Sequence, residues 1–218
     1  MVLKLYSDRL SKPTLRVAAV LVEKNVPFEL IAVDWQNGKH KTPEYLEKHP
    51  FGQLPYIDDG GFILYESRAI CRYIAIKYRE QGPALVPDLN DVQATALFEQ
   101  AASVEQNDFE PHAYGYIYEK LGKPRHGLEV DQKVLDDMLT KLDERLNGYE
   151  RILGKQKYLA GNEFTLADLF HLPWGTLLTE DCSIGLFVDD KKRPNLARWW
   201  KDISSRPAWL AVKDGIPV

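Results

Sequence analysis

Residues 52–75 read GQLPYIDDGGFILYESRAICRYIA, a stretch that switches from β-type to helical periodicity. Leu54 to Ile57 and Phe62 to Tyr65 are two short β runs, split by Asp58-Asp59-Gly60-Gly61, a hairpin signal. Ser67 is then placed to cap a helix whose buried face runs through Ile70, Ile74 and Tyr78. Working back toward the start, Val2 to Tyr6 is a β run and Pro13 to Lys24 is a helix with Leu15, Ala18, Ala19 and Val22 on one face. Phe28 to Trp35 is β-rich, and Thr42 to Lys48 suits a short helix with Pro43 in its first turn. The order over residues 1–80 is βαβαββα, the mark of mixed strands and helices.

Beyond this point the text changes character. Residues 82–90, GPALVPDLN, carry two prolines and no helical stripe, which predicts a linker over residues 81–90. Residues 91–218 then read as all-helical. Asp91 to about Leu121 is one long pattern in which Pro111 removes a backbone donor and should kink or break the helix. Glu129 to Leu153 carries Leu135, Leu142, Leu146 and Tyr149 at helical spacing and should pair with it in antiparallel fashion. Thr165-Leu166-Ala167-Asp168 is a capping box with Asp in the place of Glu, stapled by Phe164 and Leu169. Asn195 to Ser205 and Pro207 to Lys213 complete the helical part. The fold class is α/β followed by all-α.

With 218 residues, 44% of them hydrophobic, the chain can bury a core of one large or two small domains. A formal charge of −4 supplies no basic field of the kind that draws proteins to nucleic acid. The start, MVLKLY, has neither a basic nor a long apolar leader region, and no run of about 18 apolar residues occurs, so a cytoplasmic protein without membrane association is expected. Cys71 and Cys182 form no C-x-x-C pair and are too few for a metal cluster, so no metal is expected.

Four short elements in the first part carry groups that could hold one ligand. Ser11-Lys12-Pro13 opens a helix, whose N-terminus favours an anion; taken alone, Ser11 is only an N-cap. Lys39-His40-Lys41 sets three potentially cationic side chains in a loop, ordinarily a solvated surface. Gly52-Gln53-Leu54-Pro55 enters a strand through a glycine, and Pro55 must sit where no ladder N–H is needed. A cis bond there would leave the backbone of Leu54 free to pair with an extended ligand. Tyr65-Glu66-Ser67-Arg68 lies at a strand-to-helix junction, where Glu66 can take an ammonium and Ser67 can present N–H groups to a carboxylate. That pair suits the α-amino and α-carboxylate groups of an amino acid.

The spacing S-x-P at 11–13, G-x-H-K at 38–41, P-F-G-Q-L-P at 50–55 and E-S-R-A-I at 66–70, followed by a linker and a helical half, resembles a cytosolic glutathione transferase. E-K-N-V-P-F-E-L across residues 23–30 makes the phi class the most similar, with the theta class the nearest alternative. The resemblance implies a thioredoxin-like domain over residues 1–80 and a helical domain over residues 91–218. It also implies glutathione as cosubstrate, with Glu66 and Ser67 on the γ-glutamyl end. Leu54 before a cis-Pro55 would pair with the cysteinyl backbone, Gln53 would add a side-chain bond, and His40 and Lys41 would hold the glycyl carboxylate. Ser11, with Lys12 beside it, would face the sulfur.

The chemistry agrees with that assignment. A thiol of pKa about 8.5 is only a few per cent thiolate at neutral pH, and lowering it by about two units needs roughly 2.7 kcal/mol. One hydrogen bond to a charged sulfur is worth about 1.5 to 3 kcal/mol, and a helix N-terminus adds about 0.3 to 1. No His lies in residues 1–39 to serve as a base, and none is needed for such a donor. Tyr6 is the competing hydroxyl; Ser7 and Thr14 rank lower, because Ser7 precedes the loop and Thr14 lies inside the helix. Ser rather than Cys at position 11 disfavours glutathione-dependent reductase chemistry through a mixed disulfide. The electrophile is expected in an apolar cleft between the domains, with Leu10, Phe109, His112 and Tyr116 as its lining. A homodimer is implied, with Phe51 as a hydrophobic key. Reduction of organic hydroperoxides by the same thiolate belongs to this reading; the rivals are carriage of hydrophobic ligands such as phenolics with little turnover, and a scaffold or regulatory role.

Overall fold

The structure, a computed structural model, describes residues 2–217. The chain divides into two compact units: one takes the chain up to Val86 together with the segment from Pro207 onward, and the other is Pro87–Arg206. In the first unit, β1 (Leu3–Ser7), α1 (Lys12–Glu23), β2 (Phe28–Ala32), α2 (Pro43–Leu46), β3 (Tyr56–Asp59), β4 (Phe62–Tyr65) and α3 (Ser67–Lys77) follow the expected order. The sheet runs β2-β1-β3-β4, with β1 parallel to β2 and antiparallel to β3, and β4 antiparallel to β3. Alternation explains its faces. Leu3, Leu5 and Ser7 of β1 are buried, as is Ile57 of β3, while Tyr6 stacks on Tyr56 on the opposite face. α1 is buried over Thr14 to Leu21 and packs against α3.

Two sequence expectations change here. The segment predicted as a linker is packed in its first half: Leu85 has no exposed surface, and the buried Lys24 donates to the Pro83 carbonyl at 2.8 Å. The last residues do not continue the helical domain. α11 (Pro207–Leu210) packs on α1, and the buried Trp209, Val212 and Ile216 complete the first unit's core.

In the second unit Asp91 caps α4 (Val92–Val104) by accepting from the Ala94 N–H at 2.9 Å. The long helical pattern through Leu121 is interrupted next to Pro111, as expected: it divides into α4, a π-turn over Glu105–Phe109, α5 (Glu110–Ile117) and a second π-turn over Tyr118–Gly122, with α6 (Lys123–Arg125) after it. The first π-turn ends one residue before α5 and two before Pro111, which places the donorless proline in a first turn, where its missing N–H costs nothing. α7 (Gln132–Leu153) packs along α5 and buries Leu135, Leu142, Leu146 and Tyr149. α8 (Leu166–Leu169), α9 (Leu172–Thr176) and α10 (Pro194–Ser204) follow, with Leu196, Trp199, Trp200 and Ile203 of α10 all in the core. Among the described residues no helix is long and apolar enough to cross a membrane.

Candidate functional site

Strand register brings the four candidate elements to one end of the sheet. β1 and the parallel β2 finish together at Ser7 and Ala32, β3 starts at Tyr56 opposite Tyr6, and β4 finishes at Tyr65 opposite Tyr56. The loop to Ser11, the loop through His40 and Lys41, the Gln53-Leu54-Pro55 segment and Glu66-Ser67 therefore all leave from that end.

The hydroxyls near the start separate cleanly. Ser7 and Thr14 are fully buried and hydrogen-bond each other, which removes both as candidates. The Tyr6 ring is held flat on Tyr56, with centroids 4.5 Å apart. Ser11 stands at the N-cap of α1 with extended backbone, and its carbonyl accepts the Leu15 N–H at 2.9 Å, yet its side chain makes no capping bond. A half-exposed hydroxyl at the start of a 12-residue helix, with no capping bond of its own, remains available to a ligand.

His40 and Lys41 lie in a single 3-10 turn, Lys39–Lys41, entered through Gly38. Gly52 holds this turn against the next element: at φ +57° a Cβ would stand 2.7 Å from the His40 carbonyl oxygen and 2.9 Å from Lys41 Cδ. Lys41 Nζ donates to the Phe51 carbonyl at 3.1 Å, which leaves two of its three N–H donors. The Tyr45 hydroxyl donates to the Gln53 carbonyl at 2.7 Å, and burial pushes that hydroxyl's pKa well above its usual value. The Leu54-Pro55 bond is cis, and Leu54 and Pro55 precede β3 rather than belonging to it as the sequence suggested, so Leu54 lies outside the ladder to β1 and β4. Gln53 is exposed.

At the start of α3 the sequence reading is corrected by one position. Glu66, not Ser67, is the N-cap residue, and Ser67 is the first residue of the helix. Glu66 is exposed and has φ +71°, a conformation that costs a residue with a Cβ about 1 to 3 kcal/mol and that concentrates at functional sites. The Ser67 hydroxyl accepts from Arg16 Nη1 at 2.9 Å. Arg16 is 1% exposed and was missed by sequence reasoning. The signal was present: Arg16 is the lone cation in Thr14–Leu21, where its neighbours are small or apolar. A buried cation below the α3 N-terminus adds positive potential where a carboxylate would sit. Cys71, also beneath this site, donates its thiol to the Arg16 carbonyl, and burial raises its pKa to about 12, so it is inert.

The predicted hydrophobic lining divides. Leu10 is 53% exposed and His112 half-buried, with burial and then Arg145 lowering the His112 pKa. Phe109 and Tyr116 are core residues instead; Phe109 packs on His171 and Phe187. Helical geometry turns the alternate pair outward: Tyr114 and Tyr118, four residues apart, are the exposed rings and stack on each other. Phe51 keeps 65% of its surface exposed although its ring meets His49 and Tyr65. Among the described residues no group of three or more His, Cys, Asp or Glu side chains could hold a metal ion.

The family models for the N-terminal and C-terminal domains of glutathione S-transferase match residues 1–76 and 107–207. Glutathione S-transferase PM239X14 of Arabidopsis thaliana is 44% identical, over 90% of this chain and 89% of its own. The crystal structure of glutathione transferase F7 from Populus trichocarpa superposes with a TM-score of 0.91 at 38% identity, covering 100% of both chains. Glutathione S-transferase I from mais, in complex with an atrazine glutathione conjugate, superposes with a TM-score of 0.88 at 33% identity over 98% of this chain and 97% of that one. With both domains matched and the site's elements gathered at one sheet end, the chain belongs to the glutathione S-transferase family, and within it to the phi class.

Proposed function

We propose that this chain binds glutathione at the sheet end formed by residues 11, 40–41, 53–55 and 66–67, stabilises its thiolate through Ser11, and conjugates it to small hydrophobic electrophiles. In this reading Glu66 accepts from the γ-glutamyl ammonium. The α-carboxylate meets the Ser67 N–H and the α3 N-terminus, with Arg16 behind it. The Leu54 backbone pairs with the cysteinyl residue, Gln53 adds a side-chain bond, and His40 and Lys41 hold the glycyl carboxylate. The thiol proton passes to solvent, and the sulfur anion accepts from the Ser11 hydroxyl, with Lys12 and the α1 N-terminus adding positive potential. The sulfur then forms its bond to the electrophile's carbon as the displaced group leaves or a proton is taken up. The observation that carries the reading is the Ser11 hydroxyl, which is placed as a cap and does not cap.

The same thiolate can attack the O–O bond of an organic hydroperoxide, releasing the alcohol and leaving glutathione as its sulfenic acid, which a second glutathione converts to the disulfide and water, so reduction is a second activity of this site. Exposed Leu10 serves the hydrophobic substrate, and Phe51 serves as the anchor of a two-fold homodimer. The protein works in the cytoplasm, where glutathione is reduced. Steady-state assay of the parent protein, Ser11→Ala and Tyr6→Phe, against aryl halides, enals and cumene hydroperoxide, tests these roles. Loss of about 10- to 100-fold in kcat/KM for Ser11→Ala, with Tyr6→Phe within about twofold, is expected. The reverse pattern would move the role to Tyr6, and ligand binding without turnover in the parent protein would make it a carrier.

A further inference from the structure

The end of the chain is bonded to the loop that carries Ser11. The Ile216 N–H donates to the Arg9 carbonyl at 3.1 Å, and Arg9 Nε donates back to the Ile216 carbonyl at 3.1 Å. Gly215 makes this approach possible. Its φ is +122°, and a Cβ there would stand 2.9 Å from Leu10 Cδ2 and 3.2 Å from Arg9 Nη2. The tail itself is fixed: Val212 and Ile216 are 2% and 3% exposed, and the Gly215 N–H donates to the Val212 carbonyl at 2.9 Å. The loop has few anchors of its own. The Asp8 side chain accepts the Leu10 N–H at 2.8 Å, and the Asp8 carbonyl accepts the Ser11 N–H at 3.3 Å. Arg9 and Leu10 are otherwise exposed.

We propose that residues 215–216 are a strap that sets the position of the Asp8–Leu10 loop and, through it, the reach of the Ser11 hydroxyl to the glutathione sulfur. The proposal rests on the reading of Ser11 given above. Arg9 and Gly215 are positioning residues and touch no reacting atom. A hydrogen bond to a thiolate weakens steeply as the donor moves away or tilts, and a displacement of about 1 Å at a reacting centre can cost about 100-fold. The strap acts on the sulfur end alone, because the contacts assigned to the rest of glutathione come from residues 40–67.

Ultraviolet titration of the thiol of bound glutathione, with steady-state kinetics, in full-length Arg9→Ala, Arg9→Lys, Gly215→Val and Ser11→Ala variants tests this. Arg9→Ala and Gly215→Val are expected to raise the apparent thiol pKa by about 0.5 to 1 unit, a loss of about three- to tenfold in thiolate at neutral pH. kcat falls accordingly, while KM for glutathione stays within about twofold, a split that general unfolding of the site would not give. Arg9→Lys, which keeps a donor for the Ile216 carbonyl, recovers most of the shift. If Ser11→Ala moves the thiol pKa while Arg9→Ala and Gly215→Val leave it where it was, the strap is refuted and the reading of Ser11 stands. An unmoved thiol in Ser11→Ala refutes both, since the strap would then have nothing to position.

Discussion

Two helix starts in this molecule look alike in sequence and differ in what they do with their polar groups. Thr165 opens α8 and completes a capping box: its hydroxyl accepts from the Ala167 N–H at 3.3 Å, and Asp168 Oδ2 accepts the Thr165 N–H at 3.0 Å. Asp168 has no exposed surface, and its other oxygen takes the Leu159 N–H and Trp199 Nε1–H at 3.0 and 2.8 Å. Burial pushes that carboxyl's pKa above the usual range, against the pull of these donors. Ser11 opens α1 and makes no such bond, and Glu66 opens α3 exposed and in a strained conformation. The helical unit uses its capping groups to satisfy its own backbone; the thioredoxin-like unit holds the corresponding groups open at one sheet end. Polar groups committed inside the fold give stability, and those left uncommitted are open to a ligand.

The largest test of this contrast is Asp168→Ala. It orphans two backbone N–H groups and the Trp199 indole N–H, and is expected to lower unfolding stability by about 3 kcal/mol in a denaturant titration. Bound glutathione should titrate as in the parent protein. Gly52→Ala should show both effects at once. A Cβ there meets the His40 carbonyl, so stability falls by about 2 kcal/mol and KM for glutathione rises more than kcat falls. Thr165→Ala removes the cap and the hydroxyl's long 3.3 Å bond to Asp168, at about 1 kcal/mol, with kinetics unchanged.

The smallest effect is pH-dependent. Burial pushes the Asp143 carboxyl up, but hydrogen bonds from Lys192 and the buried Arg193 outweigh it and hold the folded pKa below the usual carboxylate value. A depressed folded pKa gives stability that is present above the unfolded value of about 3.9 and is lost as pH falls through the folded value. Asp143→Asn should therefore melt below the parent protein at pH 7, by less than about 1 kcal/mol, and the gap should close in acid.

Much of this was legible in the sequence because it depends on local pattern. The βαβαββα order, the hairpin at Asp58–Gly61 and the Thr165 box follow from periodicity and turn chemistry, and the motifs at 11–13, 50–55 and 66–70 pointed to the family. What was not legible depends on residues far apart in the chain. The return of the segment after Pro207 to the first unit, and the bonds between Arg9 and Ile216, need contacts that no local window contains. Arg16 was hidden by its place in a run that reads as core. Phe109, Ala113 and Tyr116 share one helical face and Tyr114 and Tyr118 another; spacing groups them but does not say which face the core covers.

The most direct test of the contrast pairs Ser11→Ala with Thr165→Ala in one experiment that reads both the pKa of bound glutathione's thiol and the unfolding free energy. For Ser11→Ala the account predicts a thiol pKa higher by about 1 to 2 units and stability within about 0.5 kcal/mol of the parent protein. For Thr165→Ala it predicts an unchanged thiol and a stability loss of about 1 kcal/mol. A Ser11→Ala protein that loses stability as a cap mutant does, while its bound thiol still ionises as before, would contradict the account.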